Sequence, residues 1–128
     1  MSKLLLVCAG GAVGSGARYL VGSWVAATWG TRFPWGTLAI NATGSFLISV
    51  VMYLGLEVGV VGPELRLLLA VGVLGGFTTY SSFNHETLSL AQRGQWGLAA
   101  AYVAATLLLA WAAGFAGILV AQFAASGA

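Results

Sequence analysis

Charge is scarce in this sequence: only 6% of its 128 residues are Asp, Glu, Lys or Arg, where a soluble domain carries roughly 25%. A chain so poor in charge cannot cover its own surface in water, which excludes a free-standing soluble domain and makes the bilayer the natural solvent. The net charge is only +2 at pH 7 and no basic cluster exists, so nucleic acid is excluded as a partner. Cysteine is almost absent too. The single Cys8 cannot form an internal disulfide and reads as a buried thiol. His85 has no second ligand at metal-binding spacing, and no nucleophile–base arrangement suggests an enzyme.

Apolar residues fill the space that charge leaves: 59% of the chain is hydrophobic, with a mean hydropathy of +0.94. One crossing needs roughly 20 mostly apolar residues, so the expected fold is an all-α integral membrane protein of four spans joined by short loops. Lys3 followed by Leu4 to Val7 has the look of a signal sequence, but glycines interrupt the run and Arg18 sits where cleavage would fall. Val7, where a lipoprotein site wants a small residue, argues against lipidation of Cys8. The whole chain is therefore expected to be mature protein.

The spans are expected at about 3–29, 35–56, 65–92 and 95–123, in a single membrane domain. Gly10 and Gly14 in the first have the spacing that lets helix backbones approach closely. Pro34 opposes helix in the residue before it, and Trp29 and Trp35 flank the resulting loop as an interfacial belt would. The third span is the odd one. Its apolar run from Leu67 to Phe77 is too short to cross, and Gly75-Gly76 and then Thr78 to Glu86 follow at midplane depth. Irregular backbone survives there only where protein or a polar cavity satisfies it, so the pattern predicts a broken helix centred on residues 75 to 80.

Positive charge sets orientation in small membrane proteins. Lys3 and Arg66 fall on one side of a four-span chain, Arg32 and Arg93 on the other. This tie predicts insertion both ways and an antiparallel, dual-topology homodimer, unless Arg18 within the first span tips the balance.

Four groups of residues can carry chemistry. Thr37, Asn41, Ser45 and Ser49 recur every fourth residue on one face of the second span, which suits either helix–helix hydrogen bonding or a pore lining. The break in the third span leaves carbonyls without helical partners; paired across a two-fold axis, they offer oxygens to a hard cation such as sodium. Alternatively the break is a packing kink. Phe77, Tyr80 and Phe83 lie three residues apart around it, and ring edges are positive, so they can contact an anion or simply pack. Tyr102 and Thr106 sit one turn apart and are both donors. Arg18, about 20 Å into the first span at ~1.5 Å per residue, is expected either to pair with Glu86 or to reach the interface.

These residues together resemble the Fluc/CrcB family of fluoride channels over nearly the whole chain. Gly10 to Gly14 with Arg18-Tyr19 is similar to that family's first span, Pro34 to Phe46 to its second, and Gly75 to Phe83 with Glu86 and Gln92-Arg93-Gly94 to its third. The resemblance implies passive fluoride export and fluoride resistance, with two pores in an antiparallel homodimer of a bacterial or archaeal plasma membrane. It implies a structural Na+ held by carbonyls of Gly75 and Thr78 from both subunits. It also implies a fluoride path past Asn41, Phe83, Thr37, Tyr102 and Thr106, with Arg18 and Glu86 structural. Tyr80 stands where the family has the first of two phenylalanines, and Ala110 where some members have serine. A small multidrug-type proton-coupled transporter is the alternative, but it needs a membrane-embedded acid and the first span has none. A non-transporting assembly subunit is a third reading.

Overall fold

The structure is a computed structural model that describes residues 2–127. Four helices are long and apolar enough to cross a bilayer: Lys3–Trp29, Trp35–Leu56, Pro63–Gln92 and Trp96–Ser126. The first is started by Ser2, whose hydroxyl accepts the Leu5 N–H at 3.3 Å, and is ended by Gly30 at φ 83. The chain then turns beneath a cluster of rings, with Trp29 and Trp35 centroids 5.6 Å apart and Phe33 and Trp35 centroids 4.6 Å apart. The third span begins at Pro63 rather than near Leu65, because proline in a first helical turn sacrifices no hydrogen bond. The fourth runs to Ser126, past Phe123, since the small-residue tail simply continues the helix.

The third span is assembled from unlike pieces. Pro63–Arg66 is α-helical, Leu67–Leu74 winds as a wider π-helix, and Gly75–Phe77 returns to α geometry. Thr78 (φ −79, ψ 157) and Thr79 (φ −150, ψ 122) are then extended, and Tyr80–Gln92 restarts the helix. The break lies within the expected window but not at its glycines. Gly75 and Gly76 are helical, and the β-branched pair that follows carries the extended backbone.

The glycines set distances between helices instead. A Cβ on Gly10 would stand 2.6 Å from the Leu68 carbonyl, and one on Gly76 2.6 Å from the Gly11 carbonyl. A Cβ on Gly14 would meet the Val73 carbonyl more closely still, so the first span lies backbone to backbone on the entering half of the third. The second span packs along the fourth, where Gly117 faces the Phe46 carbonyl and Ser49. The leaving half of the third crosses to the fourth, and Leu38, Phe83, Leu90, Ala99 and Tyr102 form the core there. The break thus lets one span pack against two different neighbours. Cys8, read from the sequence as buried, is exposed; it lies on the side of the first span turned away from Gly10 and Gly14.

Candidate functional site

Two extended residues in the middle of a membrane span need partners for their backbone groups. Asn41 supplies them for Thr79: its Oδ1 accepts the Thr79 N–H at 2.8 Å, and its Nδ2 donates to the Thr79 carbonyl at 2.8 Å. One side-chain amide therefore replaces a strand partner. The Thr79 hydroxyl accepts the Ser82 N–H at 3.2 Å and so caps the outgoing helix. Thr78 donates its hydroxyl to the Leu74 carbonyl at 2.9 Å, and Ser45 donates to the Asn41 carbonyl at 2.7 Å.

These diversions release two carbonyls. The Thr79 N–H goes to Asn41 and the Ser82 N–H to the Thr79 hydroxyl, so the carbonyls of Gly75 and Thr78, four residues earlier, lose their ordinary helical donors. Gly75 is exposed, and the nearest atom that a Cβ there would meet is 3.7 Å away. Both carbonyls are neutral, hard oxygen ligands, the type that suits a hard monovalent cation.

Thr79 also divides two clefts. The first, about 680 Å³, is lined by residues including Arg18, Thr37, Thr79, Ser82 and Glu86. The second, about 330 Å³, is lined by Asn41, Thr78, Thr79, Tyr80, Phe83 and Thr106 among others. Of the site residues expected from the sequence, Thr37, Glu86 and Arg18 thus gather on one side of the break. Asn41, Gly75, Thr78, Tyr80, Phe83 and Thr106 gather on the other.

Glu86 is held differently from the ion pair suggested by the sequence. Thr37 donates to one carboxylate oxygen at 2.7 Å and Tyr102 to the other at 3.0 Å. Arg18 faces the same cleft with its Nε buried and without a hydrogen-bond partner among the described residues. The fourth span brings Tyr102 in fully buried, joined edge-to-face to Phe83 at 5.2 Å and to Phe33 at 5.4 Å between centroids. Tyr80 meets Phe83 in the same manner at 5.7 Å. Phe77 lies before the break and lines neither cleft, because the extended residues between it and Tyr80 cancel their helical spacing. His85 is exposed and joins neither group.

Thr79 was missed by the sequence reading although it is the hinge of the whole arrangement. Its signal was present: a β-branched hydroxyl residue placed three before Ser82, at the start of a polar helical run, has the spacing of an N-cap. Trp111, which lines the second cleft, carried no comparable signal.

Donors and polarised rings on two sides of a break, with one cationic side chain nearby, suit the passage of a small anion rather than covalent chemistry. Comparison with known proteins points the same way. Residues 5–118 match the family model described as CrcB-like protein, Camphor Resistance (CrcB). The chain is 54% identical over 123 residues to the fluoride-specific ion channel FluC of Anaeromyxobacter dehalogenans, covering 96% of this chain and 98% of that relative. It is 48% identical to the FluC of Agrobacterium fabrum over 95% of this chain and 98% of the relative. It is 50% identical to a FluC of Thermus thermophilus over 91% of each.

Proposed function

This chain belongs to the CrcB-like family, a family of channels and not of enzymes, and on that premise we propose that it is a multi-pass membrane channel conducting fluoride passively. The observation that carries this reading is identity near 50% along almost the entire chain to relatives named for fluoride conduction. The unit is an antiparallel homodimer with two pores. Each pore runs along the break, from the cleft at Arg18 to the cleft at Thr106.

Fluoride is small and strongly hydrated, so protein donors must replace its water. Asn41 keeps one amide hydrogen after binding Thr79, since the amide carries two. Thr106 has an unspent hydroxyl, and the Phe83 edge adds a weak positive contact. Thr37 and Tyr102 direct their protons at Glu86, so an ion that uses them must displace that carboxylate. No Lys or Arg lines the second cleft, and contacts of this modest strength let the ion leave it as well as enter.

In such a dimer the freed carbonyls of Gly75 and Thr78 from each subunit would hold a structural sodium ion, whose positive charge would satisfy oxygens left without helical donors. In a cell negative inside, 100 mV is worth about 2.3 kcal/mol per charge and drives the anion outward, giving fluoride resistance at the plasma membrane. Phe83→Ile tests the path: the dimer assembles on size exclusion while fluoride flux is lost. Wild-type flux in that variant contradicts the aromatic assignment. Exchange of sodium for a large organic cation during purification lowers activity, and an unchanged rate after verified removal contradicts the central site.

A further inference from the structure

The second cleft has five hydroxyl side chains on its lining, and two of them have no hydrogen-bond partner among the described residues. Ser45 spends its proton on the Asn41 carbonyl and Thr78 on the Leu74 carbonyl. Thr79 receives the Ser82 N–H and lies 3.4 Å from the Ser81 hydroxyl. Thr106 differs: it is only 8% exposed, and its oxygen is buried without a partner among the described residues. A threonine in a helix ordinarily satisfies its hydroxyl on the carbonyl one turn back, so this one, on the lining of the cleft, keeps its donor unspent.

Tyr80 is the second free hydroxyl. Its ring is 77% exposed at the cleft rim and set edge-to-face on Phe83. It makes no hydrogen bond within the described residues of one chain. We propose that the Tyr80 hydroxyl donates a hydrogen bond to fluoride in this cleft and, with Thr106, sets how tightly the ion is held there. The inference rests on the channel reading above and deepens it.

The chemistry favours the phenol over the ring that carries it. An aromatic C–H edge is only weakly positive, whereas a phenolic O–H is a full hydrogen-bond donor and a more acidic one than an aliphatic hydroxyl. Fluoride, the most compact and basic of the halides, gains most from such a donor. The cleft also carries the spare Asn41 amide hydrogen and the Trp111 indole N–H. Of the groups still free, the phenol is the most acidic, and Phe83 fixes its ring. A cleft of about 330 Å³ holds roughly ten waters at ~30 Å³ each, enough for an ion that has exchanged only part of its shell.

The test is the fluoride concentration dependence of flux in proteoliposomes for wild type, Tyr80→Phe, Thr106→Val and the double variant. Tyr80→Phe keeps the ring and its packing and removes only the oxygen. The half-saturating fluoride concentration rises roughly tenfold, the equivalent of one hydrogen bond to an ion, and the double variant shifts it further. Tyr80→Ile, lacking ring and hydroxyl, separates any loss due to packing. A Tyr80→Phe curve that overlays a conducting wild type overturns the donor assignment alone. A wild type that releases no fluoride overturns the channel reading together with it.

Discussion

Asn41 does two things at once, because the amide that pins Thr79 keeps one hydrogen unspent while the residue lines the second cleft. Asn41→Ala abandons the Thr79 N–H and carbonyl inside the membrane, each at a cost of about 1–3 kcal/mol. The variant should therefore show a lower thermal midpoint in detergent as well as lost flux. Loss of flux with an unchanged midpoint would mean that the bridge is not structural. Tyr102→Phe leaves one Glu86 oxygen without its donor; the expected cost is about 1.5–3 kcal/mol for a bond to a charged group, read as a lower melting temperature. The sequence made Asn41, Phe83 and Thr106 legible because each stands at a helical spacing from other candidates. It did not reveal that Glu86 draws in Thr37 and Tyr102 rather than Arg18. That choice depends on where the fourth span places a hydroxyl contributed from sixteen residues away, and no local pattern encodes it.

At the scale of elements, glycine decides which helices touch. Gly14→Ala forces a methyl group against the Val73 carbonyl and the Phe77 nitrogen, and overpacking of this kind costs about 1–3 kcal/mol. Gly16→Ala, two residues on, meets nothing within 4 Å and should stabilise the helix by about 0.5–1 kcal/mol. Thermal unfolding of the two variants side by side checks the first-to-third span contact, and equal melting temperatures would contradict it. The four spans were legible from hydropathy, and the break from polar residues at a depth where they need protein partners. Its site was displaced from the glycines to Thr78 and Thr79, because glycines inside an apolar bilayer span serve close approach as readily as flexibility. The π-helical winding of Leu67–Leu74 left no trace in an unbroken apolar run, whose composition suits an α-helix equally well.

For the whole molecule, the tie of Lys3 and Arg66 against Arg32 and Arg93 carries the proposed antiparallel pairing. Replacing Arg32 and Arg93 by glutamine leaves the positive charges outside the spans, Lys3 and Arg66, on one side only, and the chain should then insert in one orientation. Flux should collapse for that variant alone. It should return on coexpression with the opposite variant, Lys3→Gln with Arg66→Gln, and full activity of either variant by itself would exclude an antiparallel pair. The claim on which all of this depends is selective fluoride conduction. It is tested most directly by loading liposomes that contain the purified protein with potassium fluoride, adding valinomycin to release potassium, and following the outside solution with a fluoride electrode. Rapid fluoride release, with chloride retained in a parallel preparation, is the predicted result; no release from folded dimers, or equal release of both anions, would contradict it.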